Sequence, residues 1–365
     1  MQYIRIMNKN NLNFLVCWGK NKETAWSGTN YSIFKALSKY YDINDCNINN
    51  SVLIFKILRR LLRMDSFRFE SIIRLYYSLK YKNLRGSTFQ FEEFCEDTEY
   101  RNTFIYMDLN VSYIKYMFEK LPLDLEYSGY KNIKYESICK RSKIQDKYLK
   151  SCSAVFTMGH WLKDFLVSNG FNANNIYHVG GGYNVRNDLY NPQIKSGTKI
   201  LFVGKDFKRK GGYITYEAFK ILKNKWPDVE LYVSGPIKDP IENPIDGYHF
   251  MGQLPFDEVA NLYNTCDIFC MPSYFEAYGL VFVEALSFGL PCIGRNCYEM
   301  PYFIEEGKTG LLLKNDDANE LAELMEKCLS NDNMKKEVKS RRDYYLKEYS
   351  WDSVALRMKE IIDKK

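Results

Sequence analysis

The chain is poor in the residues that usually hold metals, and it has no long hydrophobic run. Its 365 residues include three His and ten Cys but no Cys-x-x-Cys pair, so a zinc site is not expected. No apolar run approaches the ~20 residues that span a bilayer, and we expect no signal peptide before Phe14. We expect a cytoplasmic protein with reduced thiols, either soluble or peripheral on the inner face of the plasma membrane.

Length and composition favour two domains. With 46% hydrophobic residues the chain can fill two cores, and the polar stretch Asp188–Gly197 is typical of a linker. The sequence therefore predicts a first domain over 1–190 and a second over 191–350. A net charge of +6 is mild, so we expect no nucleic acid partner.

The most informative stretch runs from Met271 to Gly294. The apolar run at 267–271 predicts a buried parallel strand, and a helix is predicted from Leu280 after a short loop. Ligands of open α/β sheets bind at the carboxyl ends of such strands. We expect this loop to lie in a binding site.

Two acidic residues mark this loop and its helix. Glu276 and Glu284 are separated by seven residues, and between them the free amides near Gly279 and Leu280 favour an anionic group such as a phosphate. A ligand with hydroxyls on both sides of a phosphate, such as a nucleotide sugar, would fit this arrangement. Two solvated acids beside an ordinary helix are the alternative.

A second loop carries a dense positive charge. Lys199–Val203 is predicted to be a strand, and four cations occur within six positions after it: Lys205, Lys208, Arg209 and Lys210. Their mutual repulsion would be relieved by a diphosphate. A merely solvated basic loop is the alternative.

These motifs resemble retaining glycosyltransferases of the GT-B fold, family 4 (glycosyl transferases group 1). The resemblance implies that Glu276 and the loop residues Ala277, Tyr278, Gly279 and Leu280 hold the donor sugar, and that Glu284 holds the ribose. Lys210 matches the lysine that contacts the diphosphate in that family. Lys205 stands where the family has Arg, and because Lys cannot make the same bidentate contact, Arg209 is a candidate substitute.

The resemblance also implies a fold. It is α/β, with two Rossmann-like doubly wound domains facing across a cleft and a C-terminal helix, within 351–365, that crosses back onto the first domain. The family resemblance covers most of the chain and is weakest over 50–100. The absence of Asp-x-Asp removes the metal-bridging motif typical of the other major glycosyltransferase fold.

Two candidate site residues lie in the first half. Gly28 belongs to a W-S-G-T loop that resembles the family's phosphate-facing turn, although turns need glycine anyway. Asp108 follows the predicted strand Phe104–Met107 and is either a cleft contact or the N-cap of the next helix. The turn Gly180–Asn184 resembles the family's G-G-G-x-N turn, which would let backbone approach the ligand.

The segment 52–85 is predicted to be helical and is strongly basic. It could lie on an anionic membrane surface near a lipid-linked acceptor. A surface helix with a solvated basic face is the alternative.

The resemblance implies a metal-independent hexosyltransferase without a cofactor, with Glu276, Asp108 and Lys210 as the candidate catalytic residues. The donor would be a nucleotide diphosphate sugar and the acceptor a glycan or lipid-linked glycan, in bacterial surface polysaccharide synthesis. The alternatives are a catalytically silent nucleotide-sugar-binding or scaffold relative, a basic protein that binds membranes or nucleic acid, and a sugar phosphorylase.

Overall fold

The computed structural model describes residues 9–23, 25–49, 66–191 and 197–365. These residues form two compact units. Unit 1 comprises the described residues of Met1–Leu121, Tyr130–Gly181 and Trp351–Lys365. Unit 2 comprises those of Pro122–Gly129 and Gly182–Ser350.

Unit 1 is built on a six-stranded parallel sheet in the order β2-β1-β3-β4-β5-β6. Apolar side chains on both faces bury its central strands, as expected for a sheet covered by helices on two sides. The strands are β1 Asn11–Val16, β2 Asp42–Asn47, β3 Thr88–Gln90, β4 Thr103–Met107, β5 Ala154–Thr157 and β6 Ile176–His178.

The helices of unit 1 alternate with these strands. They are α1 Thr29–Leu37, α2 Ser66–Lys80, α3 Val111–Lys120, α5 Tyr135–Ser151, α6 His160–Ser168 and the C-terminal α14 Trp351–Ile362. Helix α14 packs beside α1, where Lys39 Nζ lies 2.6 Å from the Asp352 carboxylate. Arg357 Nε donates to the Val179 carbonyl at 2.9 Å. The last helix of the chain is therefore part of the first unit.

Unit 2 repeats the design with a parallel sheet in the order β12-β11-β10-β7-β8-β9. Its strands are β7 Lys199–Val203, β8 Glu230–Ser234, β9 Tyr248–Gly252, β10 Ile268–Cys270, β11 Cys292–Arg295 and β12 Gly310–Leu313. Its helices are α4 Pro122–Ser128, α7 Gly212–Lys225, α8 Phe256–Thr265, α9 Leu280–Ser287, α10 Met300–Phe303, α11 Ala318–Ser330, α12 Asp332–Ser340 and α13 Arg342–Glu348.

Strand order fixes the ligand-binding edge of each sheet. In unit 2 the order reverses between β7 and β10, which are hydrogen-bonded neighbours. In unit 1 it reverses between β1 and β3. The loops that leave such a pair at the carboxyl ends diverge and open a crevice. The loop that holds Lys205, Lys208, Arg209 and Lys210, here called the cationic loop, follows β7. The loop 271–279, here called the Glu276 loop, follows β10. The topology therefore brings the two loops together.

The division between the units differs from the predicted boundary at residue 190. Residues 182–190 group with unit 2 and are hydrogen-bonded to it. Asn264 Nδ2 donates to the Leu189 carbonyl at 2.8 Å, and Ser287 Oγ lies 2.9 Å from Asn187 Oδ1. Part of the predicted linker, 192–196, lies outside the described residues.

The periodicity of the sequence from about Met334 to Glu348 predicts a single helix, which the structure divides into α12 and α13 at Arg341. The basic helix predicted over 52–85 is seen as α2 in its second part, while 50–65 lies outside the described residues. In the part of the chain that the structure describes, no helix combines the length and apolarity needed to cross a membrane.

Candidate functional site

Glu276 and Lys210 form an ion pair at the ligand edge of unit 2. Lys210 Nζ lies 2.5 Å from Glu276 Oε2, and Arg209 Nη1 lies 3.6 Å from the same oxygen. Ser273 Oγ is 3.5 Å away. Glu276 is only 9% exposed. The two motifs that the sequence singled out are therefore in direct contact.

A close backbone approach makes this contact feasible. Gly211 ends the cationic loop with φ +76°, and a Cβ at this position would lie 2.4 Å from the Pro272 carbonyl oxygen. Only glycine combines this left-handed conformation with so close a neighbour. The loop after β7 can therefore pack directly against the loop after β10.

The backbone of the Glu276 loop is also tied to Arg209. Arg209 Nη1 donates to the Phe275 carbonyl at 2.6 Å, and the Tyr274 amide donates to the Arg209 carbonyl at 2.9 Å. Arg209 thus bridges the two loops through both its side chain and its backbone. Lys205, at the start of the cationic loop, is exposed to solvent.

The surroundings of Glu276 keep it ionised. Burial alone would raise the pKa of its carboxyl, but Lys210 and Arg209 outweigh burial and the net pKa is lowered. The site therefore holds two cations and one carboxylate at neutral pH. The excess positive charge suits an anionic ligand.

Glu284 lies on α9 and is held differently. Its Oε1 accepts hydrogen bonds from the backbone amides of Asn184 at 3.0 Å and Val185 at 3.3 Å, and Tyr263 Oη is 3.4 Å from Oε2. Burial raises the pKa of Glu284 to about 7, although the two amides act to lower it. This carboxyl therefore changes its charge near neutral pH.

The start of α9 has the backbone expected of an anion-binding turn. Gly279 is the N-cap with φ 97°, and its helix begins at Leu280. Tyr278 is buried with its ring 5.0 Å from that of Phe303, so we expect it and its neighbour Ala277 to meet a ligand through backbone atoms. The first amides of such a helix lack intrahelical partners.

Gly28 in unit 1 occupies a strained turn. It is the N-cap of α1 with φ 90°, and the preceding Trp26 and Ser27 also have positive φ, 46° and 57°. Two consecutive non-glycine residues in the left-handed region are uncommon, and such strain is often found at binding sites. The Trp26 ring lies 5.7 Å from Phe91, which follows β3. This loop is therefore at the ligand edge of the first sheet.

Asp108 follows β4 but does not cap the next helix. The N-cap of α3 is Asn110, whose side-chain oxygen accepts from the Tyr113 amide at 3.0 Å. The negative charge of Asp108 contributes, after burial, to the raised pKa of Tyr130. The capping alternative for Asp108 is therefore wrong.

Several contributors to the site were not identified in the sequence. Ser273, Tyr263 and the amide of Val185 contact the two glutamates, and Arg295 Nε donates to the Pro272 carbonyl at 3.4 Å. Ser273 is three residues from Glu276 in the same loop, so its closeness to the site could have been inferred from the sequence. Tyr263 and Arg295 come from other strands and helices and gave no such signal.

Known proteins resemble this chain in sequence and in fold. Residues 191–344 match the family model for glycosyl transferases group 1. Among curated relatives, the D-inositol 3-phosphate glycosyltransferase of Corynebacterium urealyticum is 26% identical over 181 residues, which cover 46% of this chain. The match spans 43% of the length of that relative.

Solved structures resemble the chain over almost its whole length. WaaG, a glycosyltransferase involved in lipopolysaccharide biosynthesis, is 15% identical with a TM-score of 0.68, covering 97% of this chain and 100% of its own. HepE from Anabaena in complex with UDP-glucose is 13% identical with a TM-score of 0.65, covering 97% and 100%. The predicted GT-B fold class, with two parallel α/β sheets, is confirmed.

Proposed function

We propose that the protein is a retaining glycosyltransferase of family 4. It moves a hexose from a nucleotide diphosphate sugar to a glycan or lipid-linked acceptor. The observation that carries this proposal is the pairing of Glu276 with Lys210 and Arg209 at the switch point of the second sheet. The family match over residues 191–344 and the UDP-glucose complex of HepE support it.

The two oxygens of Glu276 differ in a way that suits a sugar. Its hydrogen bonds and ion pairs with described residues fall on Oε2. Oε1 is then available to accept hydrogen bonds from the sugar hydroxyls. The carboxylate would be held in place by protein cations on one side while it orients the donor sugar with the other.

Lys210 and Arg209 would stabilise the departing diphosphate. When the bond between the anomeric carbon and the phosphate oxygen breaks, its electron pair stays on that oxygen and the diphosphate gains negative charge. Fixed cations in a partly desolvated site stabilise such developing charge. Lys205 and the first amides of α9 would add further donors.

The configuration at the anomeric carbon would be retained if the acceptor attacks that carbon from the same face that the diphosphate leaves. The acceptor hydroxyl oxygen forms the new bond to the anomeric carbon, and its proton passes to the departing phosphate oxygen. In unit 1 we propose that Gly28 lets the backbone approach this ligand and that Asp108 contacts the donor sugar or the acceptor hydroxyl. Glu276 and Glu284 do not act as a glycosidase pair in this scheme, and we propose that no metal or other cofactor takes part.

Glu284 would bind the nucleotide ribose. Its Oε1 is occupied by the amides of Asn184 and Val185, so the ribose hydroxyls would meet Oε2. Because the pKa of Glu284 is raised to about 7, its ionisation is easily coupled to a ligand that donates hydrogen bonds.

A panel of UDP-, GDP- and ADP-sugars tests the donor assignment. Ligand binding raises the melting temperature by mass action, and we expect one nucleotide to give a clear shift that is lost in Lys210→Ala and in Glu284→Ala. Lys225→Ala, in an exposed ion pair of the same unit, should keep the shift. An equal shift in all three variants would remove the site assignment.

Transfer and silent binding can be separated with the same protein. A catalytically silent relative would bind the nucleotide sugar without releasing nucleoside diphosphate in the presence of glycan acceptors. The intact Glu276, Lys210 and Glu284 favour an active enzyme. We propose bacterial surface polysaccharide synthesis as its setting, and the role of WaaG in lipopolysaccharide biosynthesis supports this.

We also propose that unit 1 touches an anionic membrane near a lipid-linked acceptor, on the inner face of the plasma membrane. Helix α2 exposes 63% of Leu75, 51% of Tyr76 and 64% of Leu79, and the exposed Lys80 and Lys82 follow. Apolar side chains beside cations are typical of interfacial helices. Leu75→Ser with Leu79→Ser should weaken binding to phosphatidylglycerol vesicles, whereas Ile237→Ser, 80% exposed in unit 2, should not.

A further inference from the structure

Helix α4 has an unusual position in the chain. Residues on both sides of it, up to Leu121 and from Tyr130, belong to unit 1, but Pro122–Gly129 groups with unit 2. Nothing in its sequence, P-L-D-L-E-Y-S-G, resembles a binding motif. The contacts of this helix explain where it lies.

Tyr127 of α4 lies against both loops of the candidate site. Its ring stacks on that of Tyr274, with centroids 4.1 Å apart and planes 9° from parallel. Lys208 of the cationic loop places Nζ 5.5 Å from the Tyr127 centroid. A single side chain thus contacts the loop after β7 and the loop after β10.

Asp124 adds a second attachment on the same helix. Its carboxylate accepts a hydrogen bond from the Tyr298 hydroxyl, and the Tyr298 ring meets that of Phe275 edge-on at 5.3 Å. Phe275 immediately precedes Glu276. Helix α4 is therefore attached to the Glu276 loop at two consecutive residues, Tyr274 directly and Phe275 through Tyr298.

Tyr274 transmits this contact to the site. Its amide donates to the Arg209 carbonyl at 2.9 Å, and its hydroxyl is 3.3 Å from Asp316. The Arg295 guanidinium lies 4.2 Å from the Tyr274 ring centroid and 2.9 Å from Asp316. A ring held by so many partners has little freedom, and it lies two residues from Glu276.

We propose that Tyr127 is a positioning residue for the transfer reaction: by stacking on Tyr274 it holds the Glu276 loop against the cationic loop. This rests on the proposed function, since Glu276 is taken to orient the donor sugar. Small displacements of an orienting group reduce the rate steeply. The ring of Tyr127 matters here, and its hydroxyl does not.

The test compares Tyr127→Ala and Tyr127→Leu with Tyr127→Phe. Loss of the ring should lower kcat by about tenfold or more and change the donor KM by less than about threefold, because transition-state geometry is affected more than binding. Tyr127→Phe keeps the ring and should stay within about twofold of wild type. Leu123→Ala, 55% exposed on the same helix, is the matched control. Using two ring-deleting variants guards against one failing to fold.

A double-mutant comparison separates positioning from general destabilisation. If Tyr127 acts through Glu276, Tyr127→Ala should lower the residual rate of Glu276→Gln by less than about twofold, because coupled residues are not additive. If the double variant loses rate by the product of the two single losses, the proposal is overturned. It is also overturned if Tyr127→Ala and Tyr127→Leu both keep the wild-type kcat. Wild type that neither binds nor transfers any nucleotide sugar would instead refute the proposed function, and this inference with it.

Discussion

Each unit contains a buried glutamate that is paired with cations just beyond the carboxyl end of a parallel strand. In unit 1, Glu93 follows β3, and its Oε2 accepts from Arg74 at 2.7 Å and from Arg141. Its Oε1 accepts from Gln145. In unit 2, Glu276 follows β10, and its contacts fall on Oε2.

The two glutamates differ in whether both carboxylate oxygens are bound by protein groups. Both oxygens of Glu93 are occupied by protein groups, and Arg74 and Arg141 are 8% and 5% exposed. Arg209, next to Glu276, keeps 25% of its side chain exposed. A carboxylate whose two oxygens are both bound by protein groups has no oxygen left for a ligand. One with an open oxygen beside an accessible cation is suited to a ligand. Position at a strand end is shared by both glutamates and does not distinguish them.

The largest effect is expected from Glu276→Gln. It should lower kcat/KM about 10²–10³-fold, the usual cost of one removed electrostatic contact at a reaction centre. Its free energy of unfolding should change less than that of Glu93→Gln, since Arg209 keeps 25% of its side chain exposed. Glu326→Gln, which alters a half-buried carboxylate paired with the exposed Lys225, is the control for kinetics and for urea unfolding.

Glu93→Gln should have the opposite profile. It leaves two buried arginines without their counter-charge, and breaking such a pair typically costs about 3–5 kcal/mol of the free energy of unfolding. Glu96→Gln changes an exposed carboxylate on the same loop and should stay within ~0.5 kcal/mol. Urea unfolding measures both variants. A Glu93→Gln protein as stable as the control, but inactive, would assign the ligand site to unit 1.

Glu284 predicts a pH dependence of stability. Its pKa is raised to about 7 in the folded protein, mainly by burial, against about 4.3 when unfolded. Between these values the folded state binds the extra proton, so stability falls as the pH rises from about 4.5 to 7. Relative to Glu284→Gln, wild type should lose roughly 3–3.5 kcal/mol between pH 4 and pH 8. Urea unfolding at several pH values checks this, and parallel curves would contradict it.

The smallest effect is expected from metal removal. Since Lys210 and Arg209 are proposed to stabilise the diphosphate, millimolar EDTA should leave the transfer rate within about twofold of the untreated enzyme. The control is a chelated sample with excess Mg²⁺ or Mn²⁺ restored. A rate that disappears with EDTA and returns with metal would show that the cations of unit 2 are insufficient.

Local patterns predicted much of the secondary structure. The strand Lys199–Val203 has the predicted bounds, and the C-terminal helix Trp351–Ile362 lies within the predicted range 351–365. Apolar runs and helical periodicity are strong there. The strand Asp42–Asn47 was not predicted, since its sequence D-I-N-D-C-N is polar. It pairs along one side with β1 at the edge of the sheet, where hydrogen bonding to a neighbour outweighs weak strand propensity.

Part of the candidate site could be predicted because some of its residues belong to local sequence motifs. Glu276, Lys210 and Glu284 belong to motifs within single loops and helices, which a linear sequence displays. The amides that contact Glu284, those of Asn184 and Val185, are 100 and 99 residues away from it in sequence. The ring of Tyr127 is 147 residues away from Tyr274. No local sequence pattern predicts contacts between residues so far apart.

The sequence by itself determined many of the strands and helices, and it supplied the charges at 205–210 and 276. Those properties depend on neighbours along the chain, through periodicity, capping and local repulsion. The tertiary structure alone decided that β7 adjoins β10, that Glu93 is saturated while Glu276 is not, and that α4 belongs with unit 2. These depend on which strands pair and which rings and carboxylates meet, and such choices are made by packing between residues far apart in sequence.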